Sequence, residues 1–172
     1  ILHEGQDSYL IITEDYLYRI PYRLKSLGSS KSNFFKFEAS KITFTKKKLR
    51  LLSGAIVETV EGSFLVLYAF LIKEKIYHII VLKLGKSIVV IAKEVVHLEK
   101  GQSNNSFEDM SKACSHNNTV CIKGSQNVMK IELSNSGEVK EIANFNLVLK
   151  GKRLFDINCD NSGMFYICGE EN

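Results

Sequence analysis

The residues best placed by type for chemistry are Cys114, His116 and Cys121, within the stretch "CSHNNTVC" (114–121). Zinc takes four nitrogen or sulfur ligands, usually supplied as pairs at short spacings. Here only Cys159 or Cys168, much later in the chain, could complete such a set. All four cysteines lie in or beside apolar, strand-like runs, where small free thiols of a reducing compartment are the expected state. We therefore assign no metal and no cofactor. His78 and His97 stand inside apolar runs, the setting of a structural histidine. The carboxylate pairs Glu14-Asp15 and Glu170-Glu171 fall in turns and Glu108-Asp109 in a polar loop, where solvated acids are usual. No serine occupies a nucleophile elbow and no glycine-rich phosphate loop occurs. The expectation is a non-enzyme, with no catalytic residue assigned.

Charge gives a more specific signal. Residues 19–50 hold ten Lys and Arg against one acid, Glu38, whereas the rest of the chain has 13 basic and 18 acidic residues. Such asymmetry suits an anionic partner: an acidic protein surface, RNA or another polyanion. Arg19 and Arg23 interleave with Tyr16, Tyr18 and Tyr22, and "TFTKKKLR" brings Lys46, Lys47, Lys48 and Arg50 together near Phe44. Cations neutralise phosphate and aromatic rings can stack on bases. These six basic residues are the candidate contacts; a solvated basic loop is the plainer alternative.

The elements that must position them read as strands. Met129, Ile131 and Leu133 alternate with Lys130 and Glu132, and Phe155, Ile157 and Cys159 with Asp156 and Asn158, the period of half-buried β-structure. Asp160-Asn-Ser-Gly163 separates two such runs, "SNSGE" (134–138) separates another two, and Glu14-Asp15 and "KEK" (73–75) mark further bends, so antiparallel hairpins are expected throughout. The runs 64–72 and 76–82 are apolar on both faces and require cover on both sides. The nine residues Phe64 to Ile72 fall well short of the roughly 20 that a spanning helix needs. "SIVVIAKEVVHL" (87–98) is β-branched enough for a strand. Stretches 24–34 and 101–118 read as loops, with one helical turn expected in "SFEDMSKAC" (106–114) behind Ser106. The single proline, Pro21, excludes proline-rich character. The chain opens on Ile1 rather than Met, so a fragment of a longer protein is expected.

Gly124-Ser-Gln-Asn127 reappears as Gly169-Glu-Glu-Asn172, 45 residues later. Hairpins recurring at about 40–60 residues suggest the blades of a β-propeller. At "TVCIKGSQNVMKIELSNSGEVKEIANF" (119–145) and "LFDINCDNSGMFYICGEEN" (154–172) the chain resembles the WD-repeat family: strand, glycine turn, strand ending in an apolar-acidic pair, turn, outer strand. The pair is Ile131-Glu132 where the family has Trp-Asp, and the family's Gly-His pair has no counterpart in register. The resemblance implies an all-β fold, a partial β-propeller of about three to four four-stranded antiparallel blades, in approximate units 1–40, 41–100, 110–150 and 151–172. A barrel or sandwich is the competing all-β arrangement. The function implied is an intracellular, cytoplasmic or nuclear, non-catalytic scaffold that binds other protein subunits in a multiprotein complex. The alternative is a propeller subunit that assists RNA binding through 19–50.

Overall fold

The computed structural model describes residues 1–4, 8–21, 40–42, 48–74, 76–85, 88–96, 111–124, 127–146 and 154–169. Every regular element among them is a β-strand. The first sheet comprises β1 (Leu2–Glu4), β2 (Ser8–Ile12), β3 (Leu17–Pro21) and β4 (Ser40–Ile42). The second comprises β5 (Leu49–Thr59), β6 (Gly62–Leu71), β7 (Ile76–Lys83) and β8 (Val89–Val96). The third comprises β9 (Lys112–His116), β10 (Thr119–Lys123), β11 (Asn127–Leu133) and β12 (Val139–Asn146). Strands β13 (Leu154–Cys159) and β14 (Phe165–Gly169) form a two-stranded ladder. Within each sheet the strands pair antiparallel in chain order, and no sheet closes on itself.

Why these runs form these sheets follows from what each face covers. On β6, Phe64, Val66 and Tyr68 face Val120, Ile122, Met129, Ile131 and Leu133 of the third sheet, all fully or nearly fully buried. The intervening Leu65, Leu67, Ala69 and Leu71 face Leu10 and Leu17 of the first sheet. Strand β7 divides the same way, Ile79 and Val81 to one side, Ile80 and Leu82 to the other. The third sheet in turn sets Cys121 and Val128 against Leu154 and Ile157 of the fourth. The doubly apolar runs are thus explained by sheets stacked in chain order, and each large side chain so buried contributes about 1.5–3 kcal/mol. Tyr68 and Tyr77 stack with ring centroids 5.4 Å apart within the middle layer.

The first strands of successive sheets, β1, β5, β9 and β13, lie against one another. Hydrogen bonds pin each seam. The Leu51 amide donates to Glu14 O (2.6 Å), and Thr59 Oγ1 donates to Asn135 O (2.8 Å). Ser115 Oγ donates to Ile56 O, and Lys123 Nζ to Leu154 O (2.7 Å).

Two expectations are corrected. The loop assigned to 101–118 and the helical turn over 106–114 give way, from Lys112 onward, to strand β9, which pairs in full with β10; residues 101–110 lie outside the described residues. The alternation assigned to Phe155, Ile157 and Cys159 breaks at a bulge, since Leu154 pairs with Gly169 and Asp156 with Cys168. The extra residue shifts burial to Leu154 and Ile157 and leaves Phe155 40% exposed. The four hairpin connections expected from turn residues all join neighbouring antiparallel strands.

Candidate functional site

A cleft of about 490 Å³ opens where the first strands of all four sheets meet. Its walls come from Ile1 and Leu2, from Ile12 to Glu14 at the end of β2, from Arg50 to Gly54 on β5, from Ser111 to Ala113 at the start of β9, and from Asp156 and Ile157 on β13. A bulge on β5 shapes it. Leu51 pairs with Ala69 and Ser53 with Tyr68, so Leu52 is the extra residue. Leu51 then packs toward the first sheet and Leu52 toward the third. Gly54 follows, and a Cβ there would stand 2.8 Å from Val66 O and 2.9 Å from Ile12 Cδ1. Only glycine lets β2 approach so closely.

Two ion pairs stand in the cleft. Arg50 Nε meets the Glu14 carboxylate, tying β5 to the β2–β3 turn. Lys112 Nζ lies 3.0 Å from Asp156 Oδ2, tying β9 to β13. The Lys112 ammonium, helped by the Ile157 amide at 2.8 Å, holds the Asp156 carboxyl below the usual carboxylate range, so it is ionised at neutral pH. Ser53 also lines the cleft; it is 8% exposed and its Oγ makes no hydrogen bond. The cleft therefore offers charges of both signs, one buried hydroxyl and apolar Leu, Ile and Ala side chains.

Beside it lies a buried lysine. Lys123 is fully enclosed, its ammonium donating to Leu154 O at 2.7 Å and to Gly124 O at 3.3 Å. Burial depresses its amine below the ordinary value, Lys112 directly opposite on β9 pushes the same way, and Asp156 opposes both.

The basic candidates separate. Arg50 is engaged with Glu14 in the cleft, and Lys48, just before β5, is exposed. Arg19, on β3, donates from Nη1 to Gly85 O at 2.9 Å, beyond the far end of β7. Because β5 and β7 run in the same direction, Gly85 and Arg50 sit toward opposite ends of the second sheet. Arg23, Lys46 and Lys47 lie outside the described residues, as do His97, Glu108-Asp109 and Glu170-Glu171. The chain's bends place Tyr16 and Tyr18 edge to face, 6.1 Å between centroids.

Of the candidate metal ligands, Cys114 and Cys121 are direct cross-strand partners, and Cys159 joins them from β13. His116 instead packs beneath the β13–β14 turn, where a Cβ on Gly163 would stand 2.9 Å from its ring. Among the described residues no group of His, Cys, Asp and Glu has the arrangement of a metal site. No helix among them is long and apolar enough to cross a membrane.

Ser53, Lys112, Lys123 and Asp156 escape sequence reasoning, and Glu14 is read there only as a solvated turn acid; the ion-pair partners of Glu14, Lys112 and Asp156 lie tens of residues away. No protein-family model matches the chain, and no curated protein matches it.

Proposed function

We propose that the chain is a segment of a WD-repeat-like β-propeller, its sheets acting as blades in the units 1–40, 41–100, 110–150 and 151–172, and that it serves as a non-catalytic, intracellular platform for other proteins. The observation that carries this reading is the cleft: four successive antiparallel sheets bring their first strands together, and the polar groups of each converge there. Meander sheets packed face to face with first strands in contact are what a radial arrangement requires. The charged groups in the cleft are already paired with one another, which suits docking of a polypeptide that exchanges those pairs. RNA binding through 19–50 is the second reading. Exposed Lys48 favours it, while Arg50 and Arg19 are both engaged by groups of the chain itself.

A photo-crosslinking amino acid placed at Thr13 or Ser111, on the cleft, and at Val60, at the other end of β5, tests both. The platform reading expects protein adducts from positions 13 and 111 that survive about 200 mM salt, and none from 60. Adducts that ribonuclease removes, with retention on RNA collapsing between about 50 and 200 mM salt, would transfer the case to the second reading.

A further inference from the structure

Three of the four cysteines gather at the seam between the third and fourth sheets. Cys114 on β9 and Cys121 on β10 stand directly opposite each other and point toward β13. Cys159 on β13 answers them. Its thiol donates to the carbonyl oxygen of Ser115, the residue after Cys114, at 2.9 Å. Cys114 and Cys159 are half-buried, whereas Cys121 is only 6% exposed and the fourth thiol, Cys168, is exposed on β14. All four are free.

Which pair would join is decided by geometry. Residues directly opposite on neighbouring antiparallel strands hold their Cβ atoms about 4.5–5.5 Å apart and roughly parallel. A disulfide wants about 3.8 Å and convergent vectors. Cys114 and Cys121 are therefore poorly set to join. Cys114 and Cys159 approach from neighbouring sheets, and the Cys159 thiol already reaches the carbonyl of the residue after Cys114, so this pair faces across the seam rather than along one sheet.

We propose that Cys114 and Cys159 form a reversible disulfide site that takes its oxidising equivalents from a small disulfide such as oxidised glutathione and clamps the fourth sheet to the third. The exchange balances in two steps. The Cys159 thiolate attacks one glutathione sulfur, the glutathione S–S bond breaks, and one glutathione thiolate leaves and takes up a proton. The Cys114 thiolate then attacks the Cys159 sulfur of this mixed disulfide, a protein S–S bond forms, and the second glutathione leaves and is protonated. The protein loses two electrons and two protons, and one glutathione disulfide becomes two thiols. Burial pushes Cys114 up to about 12 and Cys121 up to about 11, so both are neutral thiols at neutral pH. The second step needs the scarce Cys114 thiolate and belongs to the slow end of thiol exchange, on the order of hours.

The bond would close a loop of about 45 residues across the seam that also carries the Lys112–Asp156 ion pair. The proposal does not depend on the platform reading, since it concerns the folded chain alone. Its test is incubation of the whole chain in a glutathione redox buffer for several hours, acid quench, alkylation and mass mapping of unreduced peptides. The expected product is a Cys114–Cys159 linked pair, two hydrogens lighter than the reduced chain. It persists in the C121S and C168S variants and is absent from C159S, and the melting temperature of the oxidised chain rises by about 5–10 °C. A Cys114–Cys121 bond, glutathione retained on Cys159 without onward exchange, or dimers through Cys168 as the sole product each overturn it. The mapping on the unaltered chain decides the matter even if C159S fails to fold.

Discussion

Lys123 places an ammonium among apolar neighbours, and its two carbonyl acceptors replace only part of the water it loses. Its amine is depressed from the ordinary 10.5, so between the folded value and 10.5 the unfolded chain binds more protons. Stability therefore rises with pH through that window. Urea melts from pH 7 to 10 should show the difference between wild type and Lys123→Met moving in favour of wild type as pH increases; a constant difference would mean the amine is not depressed. Cys114 has the opposite sign. Its folded thiol titrates near 12 against an unfolded 9.0, so its contribution is full below pH 9 and is lost as pH climbs toward 12. Cys114→Ala should flatten that alkaline decline in melts extended from pH 9 toward 11, with Cys121 leaving a residual slope of the same direction. Ser53 carries a buried hydroxyl that makes no hydrogen bond. Replacing it by alanine should leave stability unchanged or raise it by about 1 kcal/mol, because the desolvation cost disappears with the oxygen; a loss above that would reveal a partner for the hydroxyl.

Turns and bulges decide how the elements meet. Gly137, in the β11–β12 turn, has φ +88°, and a Cβ there would collide with the fully buried ring of Phe64 from the second sheet. Gly62 also has positive φ, but its added Cβ would meet nothing closer than Lys83 Cε at 3.7 Å. Thermal denaturation should show Gly137→Ala costing about 2–4 kcal/mol, strain plus overpacking, and Gly62→Ala only the strain, about 1–2 kcal/mol. Equal losses would mean the Phe64 contact carries no energy. At this scale the sequence was legible wherever alternation met a turn residue. The run "VMKIEL" with "SNSG" behind it specified β11 and its turn. Of the 45-residue echo, Gly124 follows the second strand of the third sheet and Gly169 ends the second strand of the fourth. Strand β9 was not legible, since Lys-Ala-Cys-Ser-His has no β-branched residue and its fit comes from pairing with β10. Nor was the bulge at Phe155, which is set by the partner strand rather than by local residues. The cleft was the least legible of all. Glu14, Arg50, Lys112 and Asp156 become neighbours only through the stacking order, and the basic window 19–50, a unit along the chain, is divided in space between Arg50 and Arg19.

The molecule as a whole is layered, and its layers are unequal. The second sheet is covered on both faces, whereas the β13–β14 ladder leaves Tyr166 57% and Ile167 40% exposed. Local opening energy follows that difference in burial. Amide exchange followed by mass spectrometry should find β6 and β7 the slowest segments and β14 among the fastest; comparable protection would contradict the layered description. Truncating a side chain shared by the central layers should be correspondingly costly. Met129→Ala is expected to lose about 2–5 kcal/mol in urea melts, against less than about 0.5 kcal/mol for Met164→Ala at the exposed hairpin.

Strand β6 has a consequence for folding kinetics. In a half-buried strand, slipping by one residue drives polar groups inward, so water itself enforces alignment. On β6 both rows are greasy, and a slip exchanges Phe64 and Tyr68 for Leu65 and Leu67 without exposing any charge. Side-chain volume, not polarity, distinguishes the two faces: Phe64, Val66 and Tyr68 fill one gap and Leu65, Leu67 and Leu71 the other. The chain must therefore sort sizes rather than polarities at its centre, and a slow refolding phase after dilution from urea is the expected sign of misaligned pairing; single-exponential refolding would argue against it.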